Sequence, residues 1–178
     1  ARSARRNRRS GRKPTLRVTV SASKGPAMSH SAIAILNLFF AGLLAGAELI
    51  VRLGVRDTLS VLDDRSHIRL RQALIRTLRV LVPAIMIPAI LTGVGIALIA
   101  GNGPNVLFRW AAAGSLFAFL GVTLFGTVPI NAAALEWNAD SPPPGWRATI
   151  QRWEALNTLR CILAILAFAL FLTAAALG

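Results

Sequence analysis

The chain has 178 residues, 54% of them hydrophobic, yet it carries a formal net charge of +13. The charge is segregated: nine of the 20 Lys and Arg precede Met28, seven lie from Arg52 to Arg79, and none follows Arg160. A soluble domain interleaves charge along every element, so long uncharged runs separated by basic loops exclude one and give the pattern of a polytopic helical membrane protein.

Residues 1–27 have no apolar periodicity. They read as a basic disordered tail or an upstream reading-frame extension rather than an arm for RNA or anionic lipid. Met28-Ser29 opens a sensible membrane protein, so the working protein is expected to bind no nucleic acid. The head is not a signal peptide, because no small-residue cleavage site precedes a short apolar core. Residues 28–178 then form one four-span domain.

The first span covers about residues 32–53, long enough to cross roughly 30 Å of hydrocarbon. Asn37, Ala41, Leu44, Glu48 and Arg52 recur at steps of four, three, four and four, which keeps them on one helical face. A carboxylate in such a run is costly unless it faces protein or water and has a partner. Arg52 is a candidate at i,i+4. Gly42 and Gly46 form a small-xxx-small pair that leaves a homo-oligomer open.

The basic loop that follows predicts an amphipathic helix at the membrane surface, capped by Asp63 or Asp64 and running into the second span. Ile68, Leu70, Leu74, Leu78 and Leu81 form its apolar side, and Arg65, Arg69, Arg76 and Arg79 another. The second span covers about 78–100 and closes at the turn signal Gly101-Asn102-Gly103-Pro104. Pro83 and Pro88 within it are tolerable kinks in a bundle.

The third span covers about 110–135. Thr123, Thr127 and Asn131 share a face near Pro129, and the threonines read as bonding back to their own backbone. Ser141-Pro142-Pro143-Pro144-Gly145 is a rigid turn, and a helix restarts near Trp146. The fourth span covers about 159–177 and opens with Trp153, Asn157 and Arg160 on one face. Trp137, Trp146 and Trp153 include interface anchors.

The expected fold is therefore all-α: an integral membrane four-helix bundle with an amphipathic loop helix between spans one and two. Without the head, the first and third loops carry ten basic residues and the second carries one. Both long loops are then cytoplasmic in a multi-pass protein of the inner (plasma) membrane; a genuine cytoplasmic head would argue for the opposite orientation. Cys161 stands alone, which excludes an intramolecular disulfide and a thiolate cluster. The two histidines, His30 and His67, offer no paired imidazoles inside the spans for haem or copper.

A hairpin of spans three and four, antiparallel to span one, gathers Glu48, Arg52, Asn131 and the Trp153–Arg160 face at the cytoplasmic mouth. Two readings stand side by side. One is a network locking the helices, with Glu48 paired to Arg160. The other is a pocket with an apolar body and a few convergent polar groups.

One set of residues carries a family resemblance. It comprises Asn37 and Glu48 in span one, Leu-Val-Pro at 81–83, Val128-Pro129-Ile130-Asn131, and Arg152-Trp153 followed by Asn157 and Arg160. Over residues 28–178 the chain resembles the anthrone oxygenase-like family of small four-helix membrane proteins. The resemblance implies a small hydrophobic aromatic substrate, oxidation of an anthrone to an anthraquinone by molecular oxygen, and no essential metal or organic cofactor. A histidine often stands in the family where this chain has Asn157, which is no base at neutral pH. That shifts the base to Glu48, with Arg160 and Asn131 stabilising the enolate oxygen. Asn37, Arg52, Trp153 and Asn157 complete the expected substrate site. The competing class is a non-enzymatic membrane subunit or lipid/quinone-binding module whose polar cluster is structural. A carrier is disfavoured, because no inverted repeat is evident.

Overall fold

The computed structural model describes residues 25–99, 103 and 105–177. The basic head up to residue 24, most of the turn at 100–104 and Gly178 lie outside the described residues. The first helix, α1, is made of three consecutive segments, Gly25–Ile50, the π-helical Val51–Val55 and Arg56–Ser60. The second, α2, is Asp64–Ile99. The third, α3, spans Val106–Leu135 and contains a π-helical turn at Thr123–Thr127. The fourth, α4, is Trp146–Ala176. All four are long and apolar enough to cross a membrane, and they fit a multi-pass membrane protein. At a rise of about 1.5 Å per residue each exceeds the roughly 30 Å hydrocarbon core, so their ends project beyond it.

Local chemistry explains where the helices start and how they survive their prolines. The Asp63 carboxylate accepts the Ser66 amide N–H at 3.4 Å and opens α2. Its bonds to Ser66 hold that carboxyl below its ordinary range. Gly145 precedes α4 at φ 79°, a left-handed conformation that a residue with a Cβ adopts at a cost. Pro129 falls directly after the π-helical turn of α3, where the regular ladder is already interrupted and its missing N–H does least damage. Thr123 and Thr127 donate back to Phe119 and Thr123 carbonyls, as expected.

The helices alternate in direction and form a ring, with α1 packed on α2 and α4, and α3 on α2 and α4. Lipid supplies no hydrophobic drive between helices, so close approach depends on small residues. Ala41, Ala89, Ala112 and Ala167 are buried at these contacts, with Leu44, Leu116, Phe119 and Phe171 filling the space between them. Asn105 donates to the Ala174 carbonyl at 3.2 Å and ties the start of α3 to the end of α4. Large apolar side chains such as Leu91 and Phe125 point outward, as lipid-facing residues do.

Both long connections sit at one end of the bundle, here called the loop end, and they grip each other. Gln72 donates to the Ala134, Leu135 and Trp137 carbonyls, capping the end of α3. Arg65 pairs with Asp140, Arg147 with Asp64, and Arg56 with Glu154. Trp146 and Ile150 pack on Ile68 beneath these pairs. The expected loop helix is the first part of α2, continuous with the span. Its inward face runs through Ile68, Arg71 and Ile75, while Leu70 and Leu81 are 38% and 48% exposed. The reason is angular: residue 70 lies about 200° around the helix from residue 68, whereas steps of three and four stay on one face.

Candidate functional site

A cavity of about 360 Å³ occupies the loop-end half of the bundle and draws its walls from all four helices. Two features hold the helices apart there. The π-helical turns of α1 and α3 each insert an extra residue and redirect the side chains that follow, and Val51, Val55, Thr123 and Thr127 from those turns face the cavity. Most of the remaining wall is apolar, including Ile75, Leu78, Val82 and Met86 of α2. Arg79, Val128 and Ala132 line the cavity and are also exposed on the outside, so it opens sideways between α2 and α3.

The polar groups are concentrated on one side. Glu48 is 2% exposed, and its Oε1 accepts from Arg160 Nη2 at 2.5 Å. Arg160, 6% exposed, also donates from Nη1 to Thr127 Oγ1 at 3.3 Å, and its guanidinium lies 4.7 Å from the centre of the Phe119 ring. This links α1, α3 and α4 through one buried ion pair. Such a pair repays its desolvation only when the remaining lone pairs and protons also find partners. Here they do not: Glu48 Oε2 and Arg160 Nε are both unpartnered. Six buried side-chain polar atoms among the described residues lack a hydrogen-bond partner, and five belong to residues lining this cavity. The other three are Arg71 Nε, Asn131 Oδ1 and Trp153 Nε1. Buried polar atoms are rarely left so, and each costs about 1–3 kcal/mol. All five belong to residues that line one largely apolar cavity, the combination found in ligand sites.

A family model described as anthrone oxygenase matches residues 72–170, more than half of the chain. The chain belongs to the anthrone oxygenase family. The match takes in most of α2, all of α3 and most of α4, and with them Asn131, Trp153, Asn157 and Arg160. Glu48 and Arg71 lie outside it, as does the whole of α1, whereas the resemblance in the sequence was drawn over residues 28–178. No curated protein and no solved structure matches the chain.

In this anthrone oxygenase family member, Glu48, Asn131, Trp153, Asn157 and Arg160 come together at the cavity. Asn37 and Arg52 do not join them. Asn37 is buried in the tightly packed half, where Nδ2 donates to Thr92 Oγ1 at 3.4 Å and to the Ala89 carbonyl at 3.5 Å. It ties α1 to α2. Arg52 borders only a much smaller crevice beside Trp153 and Glu154. The π-helical turn begins at Val51 and changes the angular step, so Arg52 no longer continues the Asn37–Glu48 face. Glu48 pairs across the bundle with Arg160 instead of along its own helix.

Arg71 was not among the residues singled out from the sequence. It is 5% exposed, lines the cavity, and stacks its guanidinium 4.7 Å from the Trp153 ring centre. The signal was present: Arg71 sits three residues after Ile68 and four before Ile75, on the inward stripe. Among the described residues no group of three His, Cys, Asp or Glu is placed to hold a metal ion.

Proposed function

We propose that this protein binds a flat, hydrophobic aromatic molecule in the cavity and oxidises its activated methylene with molecular oxygen, as an anthrone oxygenase does. The observation that carries the reading is the unpartnered Glu48 Oε2 at the polar side of an otherwise apolar cavity. A volume of about 360 Å³ lies in the range that small-molecule sites occupy.

An anthrone methylene is flanked by two aryl rings beside a ketone, so loss of a proton gives a delocalised enolate. Glu48 Oε2 takes that proton, since Oε1 is engaged by Arg160. Arg160 and the Asn131 amide donate to the oxygen on which the negative charge develops. Trp153 and Asn157 wall the ring system, and Asn157 itself takes no proton. The electron-rich carbon then reduces oxygen and bonds to it. The hydroperoxide loses water, so one oxygen atom becomes the new carbonyl and the other leaves with the two methylene hydrogens. The sideways opening admits an apolar substrate from the bilayer, between α2 and α3. If residues 1–27 are absent from the mature protein, the excess of basic residues in the two long loops supports a cytoplasmic position for that end in an inner (plasma) membrane.

The test is quinone formation from an anthrone by purified protein in lipid nanodiscs, against protein-free nanodiscs. Glu48→Gln is expected to lower the rate by about a hundredfold or more. A wild-type rate equal to the blank would end the reading. A second reading draws on the Glu48–Arg160–Thr127 links between three helices: a lipid or quinone module with a structural polar cluster. It is favoured if Glu48→Gln and Arg160→Leu both lower the melting temperature sharply while no aromatic ligand raises it.

A further inference from the structure

The charges around the cavity do not balance. Four charged side chains line it, Glu48, Arg71, Arg79 and Arg160, and Glu48 and Arg160 neutralise each other. Arg79 is exposed at the sideways opening, where solvent or lipid headgroups can compensate it. Arg71 is buried and has no carboxylate within ion-pair distance among the described residues. Glu154 is the carboxylate whose charge reaches it, and Glu154 is already bonded to Arg56 at 3.1 Å. A cation buried in apolar surroundings without a partner is strongly unfavourable, and proteins hold such a group where a ligand supplies the opposite charge. Stacking on Trp153 offsets only part of that cost.

The unpartnered atoms beside it are of one kind. Arg71 Nε and Trp153 Nε1 are both N–H donors, buried and without an acceptor. Because Arg71 stacks on Trp153, the two donors sit on neighbouring side chains, one of them cationic, and match a group with two acceptor oxygens and a negative charge. A ketone or a neutral phenol offers less to this pair, and a second cation would be repelled.

We propose that the aromatic molecule taken by this cavity carries a carboxylate, held by Arg71 and by the indole N–H of Trp153. The inference rests on the reading of the cavity as a substrate site and narrows its substrate to aromatic acids. Arg71 and Trp153 fix the acid end, which presents the remaining rings to Glu48 and Arg160.

Equilibrium binding separates this from catalysis. Anthraquinone-2-carboxylate and its neutral isostere anthraquinone-2-carboxamide are titrated into the protein in zwitterionic nanodiscs, with empty nanodiscs subtracted. A charge-assisted bond predicts that the wild-type protein prefers the carboxylate by about tenfold. Arg71→Met removes the preference by lowering carboxylate affinity more than carboxamide affinity, whereas Arg71→Lys keeps part of it. Equal affinity of the wild-type protein for the two ligands overturns the proposal, and this comparison needs no variant to fold. A preference unchanged in Arg71→Met overturns it as well, as does failure of both ligands to bind. A carboxylate preference without anthrone turnover would remove the oxygenase reading and leave this one standing.

Discussion

In the half of the bundle away from the long loops, four helices meet through alanine and glycine, with no room to spare. A Cβ added at Gly93 would lie 2.8 Å from Phe171 Cζ, and one at Gly42 3.1 Å from Phe168. In the loop-end half the same helices pass two π-helical turns and enclose a cavity of about 360 Å³. Buried polar groups are present in both halves, but they are used differently. Asn37 in the tight half is spent on Thr92 and Ala89. Glu48, Arg71, Asn131, Trp153 and Arg160 in the open half each keep an atom unspent. Depth in a membrane bundle therefore does not decide whether a polar side chain is structural; the pairing of its last atom does.

The comparison breaks most easily at the ion pair that borders the two halves. Arg160→Leu leaves Glu48 buried and unpaired, and Glu48→Leu does the same to Arg160. Each is expected to cost about 3–5 kcal/mol in unfolding experiments, with the double variant recovering most of the loss. A double variant as damaged as the sum of the two would mean that the pair is woven into the packing of the tight half.

Overpacking comes next in size. Gly93→Leu in the tight half is expected to cost about 1–3 kcal/mol, because the neighbours are close-packed. Ala132→Leu, on the cavity wall and exposed, is expected to change stability by less than about 0.5 kcal/mol. Similar melting shifts for the two would erase the distinction between the halves.

Asn37→Leu sharpens it further. Loss of its interhelical bonds is expected to cost about 0.6 kcal/mol and at most about 1.7 kcal/mol, as for such bonds in membranes. A gain in stability would show that Asn37, too, is an unspent group. The smallest effect belongs to the loop end. Asp140→Asn removes exposed pairs to Arg65 and Arg69 and is expected to cost about 0–1 kcal/mol, fading in high salt.

The sequence made the frame legible through run length and charge. Four apolar runs separated by basic loops specify four spans, and alternating direction alone puts both long loops at one end. The cross-bundle pairing of Glu48 with Arg160 also follows from hairpin register, although Arg52 competed for it on spacing. The π-helical turns were not legible, because no residue type demands one. Pro129 announced a disruption in α3 without saying that it would fall one turn earlier, at Thr123–Thr127. The turn at Val51–Val55 carried no proline and no warning, and it is what takes Arg52 off the Glu48 face. Arg71 stood among the arginines of its loop, of which only Arg65, Arg69, Arg76 and Arg79 were assigned to a side of the helix. Only the three- and four-residue steps to Ile68 and Ile75 set it apart.

The central claim is that an aromatic molecule occupies the open half. Photoexcited anthraquinone abstracts hydrogen from neighbouring C–H bonds, so irradiation of the protein with anthraquinone in nanodiscs, followed by peptide mass spectrometry, reads its position directly. Labels are predicted on residues 74–86 of α2 and 123–135 of α3. Labels around Ala41, Ala112 and Ala167, or spread evenly over lipid-facing residues such as Leu91, would contradict it.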